Sequence, residues 1–208
     1  MNTTPENNQQ TDNGIYELIA SQFSWAPLAV LYQYLKSLDT QEYMPMLTAL
    51  IEKANLNDKV NKQVQAWEQE HINPNRTRVI VKLINHTDLD FEIGERTLQL
   101  NADEQHATQI RPWDIQAWKF DLAYTRRLGS RSKEMFKHFI VFGDEEFGFR
   151  FDFGLHVNTS FGVISPTLTP VRSHTLTSIG MSPIQCTTRI TRTASEEPYG
   201  FTVELTLS

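Results

Sequence analysis

Between Phe136 and His156 the chain holds two runs in which one set of apolar, mostly aromatic residues recurs at every second position. Phe147, Phe149, Phe151 and Phe153 occupy every second position, separated by Gly148, Arg150 and Asp152. A period of two places one set of side chains on a single face of a strand. Upstream, Phe136, His138, Ile140 and Phe142 alternate with Lys137, Phe139 and Val141, and Gly143-Asp144-Glu145 divides the two runs as a short hairpin connection. Each phenylalanine removed from water contributes about 1.5–3 kcal/mol. A hairpin with such a face needs a second sheet opposite it, and the rest of the chain has to supply one.

The region from Arg78 onward has the texture to do so. Arg78–Ile84 is rich in β-branched residues and ends at the turn cluster Asn85-His86-Thr87-Asp88. Short strands are expected around Gly94, at 105–111 and at 117–124, where Trp118, Phe120, Leu122 and Tyr124 share one face. A Pro/Ser/Thr-rich crossing follows over 158–170, then a weak segment near 175–179. A closing hairpin pairs 185–193 with 199–207. Eight to ten short strands with turns between them read as an antiparallel sandwich or barrel.

Ahead of that region the period changes. Tyr43, Met46, Leu47, Leu50, Ile51 and Ala54 follow helical spacing, with Pro45 expected in the first turn. A further helix is expected from Asn57-Asp58, with Val60, Val64, Trp67 and His71 on one stripe, ending before Asn73-Pro74-Asn75. Two more helical stretches fit 15–23 and 28–35. The expectation is therefore an α+β chain. Residues 1–13 form a disordered tail, 14–73 a helical bundle of about three to four helices, and 76–208 an antiparallel β-sandwich.

Composition narrows the function classes. Residues 1–75 carry 4 basic and 9 acidic side chains and residues 76–208 carry 15 and 16, so neither half has the basic surplus of a nucleic-acid binder. Cys186 is the single cysteine, which removes an intrachain disulfide. The six histidines form no ligand pair of recognised spacing, and no nucleophile elbow, phosphate loop or dinucleotide fingerprint is present. No catalytic residue, metal or cofactor is assigned, and the chain is read as non-enzymatic. The polar start of the sequence lacks a secretory leader, so a cytoplasmic origin is expected, or release without a classical signal.

Two groups of residues suit binding. Over 124–137 the basic residues Arg126, Arg127, Arg131, Lys133 and Lys137 face Glu134 alone, a net of +4. That suits a solvated loop or an anion-binding surface, and each basic residue near an anionic membrane contributes about 1 kcal/mol. Trp113, just after Pro112, and Tyr124 add rings with polar tips, the kind used at membrane interfaces and in sugar stacking. The binding candidates are thus Trp113, Tyr124, Arg126, Arg127, Arg131 and Lys133. Whether His138 and His156 meet is left open by spacing.

Three stretches, Val79–His86, the hairpin Phe139–Gly154 and the closing Tyr199–Leu207, resemble the sandwich of actinoporin-like cytolysins and fungal fruit-body lectins. The resemblance implies a non-enzymatic sandwich that binds lipid headgroups or glycans, sometimes with an amphipathic N-terminal helix that enters a membrane. Two departures stand out: some 60 residues of helical sequence precede the sandwich, and the β region holds only Tyr124 and Tyr199 in place of a tyrosine-rich headgroup pocket. No functional residue carries over. The first reading is a membrane-lipid-binding, pore-forming protein of the toxin type. The alternative is a glycan- or protein-recognition module, lectin-like or built for homo-oligomers.

Overall fold

The computed structural model describes residues 40–73, 75–99, 108–124, 132–162 and 166–208, with backbone alone at 40–47, 49–51, 132 and 133. These residues hold one helix, α1 (Thr40–Gln69), and nine strands. The strands are β1 (Arg76–Asn85), β2 (Phe91–Arg96), β3 (Gln109–Ile110), β4 (Ile115–Ala123), β5 (Ser132–Gly143), β6 (Gly148–Phe161), β7 (Pro166–Ser178), β8 (Cys186–Thr193) and β9 (Phe201–Leu207).

Among the described residues the expected bundle of three to four helices is not found; a single helix stands there. The helices expected at 43–54 and from 57 onward are one continuous element, and Pro45 is its sixth residue. Ala54-Asn55-Leu56-Asn57 contains neither glycine nor proline, and asparagine inside a helix costs well under ~1 kcal/mol relative to alanine, too little to break it. The stretches 15–23 and 28–35 lie outside the described residues. The chain divides into two units between Asn61 and Lys62, inside α1.

In the second unit the strands form two sheets, ordered β4-β1-β9-β8 and β3-β2-β5-β6-β7. All pairs are antiparallel except β1 with β9, where Val79 lies beside Phe201 and Leu83 beside Leu205 in parallel register. The expected all-antiparallel sandwich is corrected on that point. Parallel pairing needs a long crossover connection, and here nearly the whole β domain separates the two strands. The expected crossing at 158–170 is also replaced: β6 runs on to Phe161, and β7 pairs with it from Pro166 to Ser178.

The two sheets share one core. Phe149, Phe151, Phe153 and Leu155 of β6 are buried, with Val79, Val81 and Leu83 of β1 and Val203, Leu205 and Leu207 of β9 in the same cluster. Rings meet across the sheets, Trp118 with Phe142 at 5.9 Å and Phe120 with Phe153 at 6.2 Å. Within the second sheet Phe142 stacks on Phe149 at 4.7 Å and Phe151 on Phe153 at 5.1 Å. Phe147 falls outside the strand, in the turn, where Gly143 adopts φ 83° and a Cβ would sit 2.1 Å from the Phe147 carbonyl oxygen.

The outer face of the first sheet holds the end of α1. Arg78 points away from the core side of β1, where Thr77 and Val79 lie, and is buried nonetheless. Its Nε and Nη2 donate to the two Asp121 oxygens at 2.7 and 2.8 Å, and Nη1 donates to the carbonyls of Trp67 and Glu70 at 2.6 and 3.1 Å. The last carbonyls of a helix have no partner within it, and a cation there also meets the negative end of the helix dipole. Lys119 donates to Glu70 at 2.6 Å, and Thr202 to Glu68 at 2.6 Å.

Candidate functional site

Strand β4 separates the candidate residues. It begins at Ile115, opposite Ile84, and ends at Ala123, opposite Arg76. Trp113 therefore lies at one end of the sandwich and Tyr124 at the other, on the order of 30 Å apart at ~3.3 Å per residue. The segment carrying Arg126, Arg127 and Arg131 leaves after Tyr124 and rejoins the sheets at Ser132. Those three arginines lie outside the described residues. Lys133 enters β5 opposite Val157. The six candidates cannot form one site within one chain, because Trp113 belongs to the far end.

Tyr124, one of the binding candidates, does not present its ring at the surface. It is buried in the core, edge-on to Tyr199 at 6.5 Å. The stripe Trp118-Phe120-Leu122 simply continues inward to it. The two tyrosines of the β region nevertheless meet, at the end where the basic segment departs.

Arg172 joins this end from the other sheet. It sits opposite Leu155 on β7, and its Nε and Nη2 donate to the carbonyls of Tyr199 and Ala194 at 3.2 and 2.5 Å. Burial lowers its pKa, but an arginine remains protonated across the physiological range. Carbonyls satisfy these donors without cancelling its charge, so this half-buried guanidinium places one positive charge at the Tyr124 end, beside the turn that carries Glu196 and Glu197.

A cleft of about 360 Å³ opens beside it on the outer face of the first sheet, lined by Glu68, Ile72, Arg78, Arg192, Ser195 and Thr202 among others. Its size falls at the lower end of the range for ligand sites. Glu68 has both oxygens engaged, by Arg192 at 2.5 Å and Thr202 at 2.6 Å. The hydrogen bond with Asp121 raises the pKa of Arg78, and the same bond holds the Asp121 carboxyl below its ordinary value. A carboxylate with both oxygens occupied is poorly placed to accept a proton from a substrate. The arrangement suits holding a polar ligand.

At the far end Trp113 is half exposed and adopts φ 60°. Its indole N–H donates to Asp88 at 2.8 Å, and its ring lies edge-on to His86. A bulky residue in this backbone region costs on the order of 1–3 kcal/mol, and the Asp88 bond helps hold it there.

The histidine question resolves by register. His138 is opposite Phe153 on the inner face, whereas His156 is opposite Glu134 and Val171 on the outer face, so they do not meet. His138 packs on Phe136 and Phe153, with Nδ1 3.1 Å from Thr97 Oγ1. Burial lowers its pKa below the ordinary ~6.5. Below about pH 6.5 the unfolded chain then binds more protons than the folded one, so stability falls as pH drops from there through the lower folded value. Urea unfolding between pH 7.5 and 5.5 is expected to show this loss, with a flatter profile for His138→Gln. Identical profiles would remove His138 as the cause.

Arg78, Arg172 and Glu68 escaped the sequence reading because their partners are distant in the chain. Arg78 did carry one signal, a charge set within an apolar strand. Scanned against protein-family models and searched against curated proteins, the chain matches none.

Proposed function

We propose that the chain is a non-enzymatic β-sandwich binding module that engages anionic membrane headgroups at its Tyr124 end. The observation that carries this reading is topological. The segment with Arg126, Arg127 and Arg131 departs from the same end as Arg172, whose charge is met only by carbonyls among its described partners. No described helix is long and apolar enough to cross a membrane, so the proposal covers surface binding. Pore formation would be a further, cytolysin-like step.

Vesicle flotation tests it. Full-length protein is expected to float with phosphatidylglycerol-containing vesicles and not with phosphatidylcholine alone. Changing Arg126, Arg127 and Arg131 together to Gln removes about 3 kcal/mol at ~1 kcal/mol per charge, roughly a hundredfold weaker binding. Trp113→Ala leaves binding to anionic vesicles unchanged. Equal binding to both vesicle types, or to neither, overturns the proposal.

The alternative, a glycan-recognition module, draws on the cleft, where hydroxyls, carboxylates and guanidinium groups surround a partly apolar floor. A glycan array with an Arg192→Ala control separates it from the lipid reading.

A further inference from the structure

The end opposite the basic segment is a rigid, acidic platform with an apolar tip. After β7 the chain lies down on the β5–β6 turn through four backbone hydrogen bonds. Ile179 and Gly180 donate to the Gly148 carbonyl at 2.9 and 3.2 Å, Met181 to Glu145 at 2.9 Å and Ser182 to Glu146 at 2.9 Å. A Cβ on Gly180 would stand 2.5 Å from the Glu146 carbonyl oxygen, so only glycine permits this approach. Beneath it the Asp144 carboxylate accepts the N–H groups of Glu146 and Phe147 at 2.9 and 2.8 Å. The platform presents Met181 at 80% exposure and Ile179 at 49%, beside the exposed Glu145 and Glu146. Little ordering is left to be done on binding, which favours a preformed docking surface.

The sequence contains a segment of matching chemistry. Thr125-Arg126-Arg127-Leu128-Gly129-Ser130-Arg131 has three cations, one leucine and no acidic residue. Within one chain it cannot reach the platform. The twelve residues of β5 hold the two apart by about 35–40 Å. Seven residues anchored at Tyr124 and Ser132 extend at most about 14 Å out and back. Only another molecule can bring them together.

We propose that the Glu145–Glu146–Met181 platform of one copy receives segment 125–131 of a second copy, giving a head-to-tail association that weakens with salt. Such a contact joins two different surfaces, so it repeats into a ring where the rotation closes and into an open chain where it does not. The same cations serve the membrane reading, so anionic lipid competes with the platform for them.

Sedimentation velocity on the full-length protein tests this. In 0.05 M salt the mean sedimentation coefficient is expected to rise with protein concentration, and in 1 M salt, where screening acts within about 3 Å, to return to that of a monomer. The charge reversals Glu145→Arg/Glu146→Arg and Arg126→Glu/Arg127→Glu each abolish association alone and restore it when mixed. A wild-type monomer at every concentration in low salt overturns the proposal, as does association that neither reversal affects. The Glu145→Arg/Glu146→Arg protein retains segment 125–131, so its flotation with anionic vesicles reports the membrane reading separately.

Discussion

Replacing Phe151 with alanine is expected to destabilise the sandwich by about 3–5 kcal/mol, the range for emptying a buried aromatic site. The residue is fully buried in the first part of β6, opposite Ile140 on β5 and Leu176 on β7, with its ring stacked on Phe153. Its neighbours come from three strands of one sheet, and the facing sheet closes the core above it, so collapse into the space requires the sheets to move. Urea unfolding followed by tryptophan fluorescence measures the loss. Phe161→Ala, at the exposed end of the same strand, serves as the control and should change stability by less than about 0.5 kcal/mol. A loss below 1 kcal/mol at Phe151 would mean that the ring does not lie in the core.

Removing Arg78 is the second large effect, expected at about 2–4 kcal/mol. Breaking a fully buried ion pair by deleting one partner costs about 3–5 kcal/mol. The figure is lowered here because the Asp121 side chain is 39% exposed and water can re-solvate it. Two losses combine in Arg78→Met: Asp121 is left without its bidentate partner, and the Trp67 and Glu70 carbonyls lose their cap. Arg78→Lys restores charge but not the fork, so it should recover only part of the stability. The pH dependence gives a separate signature. With its pKa depressed by Arg78, Asp121 contributes stability above its unfolded value of ~3.9, and this is lost as pH falls through the folded value. In Arg78→Met that acid-side loss should shrink. Equal stability of Arg78→Met and the parent would contradict the clamp on the helix end.

The central hairpin was legible because its inward face is buried beside the turn, so phenylalanines recur at every inward position from 149 to 153. The last strand was legible for the same reason, with Phe201, Val203, Leu205 and Leu207 pointing to the core. Strand β7 was not. As the edge of its sheet it presents Thr167, Thr169, Ser173, Thr175 and Thr177 to solvent, and its inward positions include Pro170, Arg172 and His174. Pro170 is tolerated because an edge strand has backbone N–H groups without a ladder partner. The parallel β1–β9 pair left no local trace, since parallel pairing is decided by strands far apart in sequence. In α1, Asn57 and Asp58 looked like a new cap, although nothing there prevents the helix from continuing. Among the candidate site residues, the charge of segment 125–131 was visible from composition. Its separation from Trp113 became clear only once β4 was placed between them, and Arg172 became a candidate only through carbonyls 22 and 27 residues away.

Hydrogen exchange on the full-length protein, free and saturated with phosphatidylglycerol vesicles, tests most directly whether ligand binds at the Tyr124 end. Slower exchange is expected at 75–77, 124–132 and 194–201, with 87–90 and 111–114 unchanged. Protection confined to the Trp113 end, or spread evenly over both ends, would contradict it.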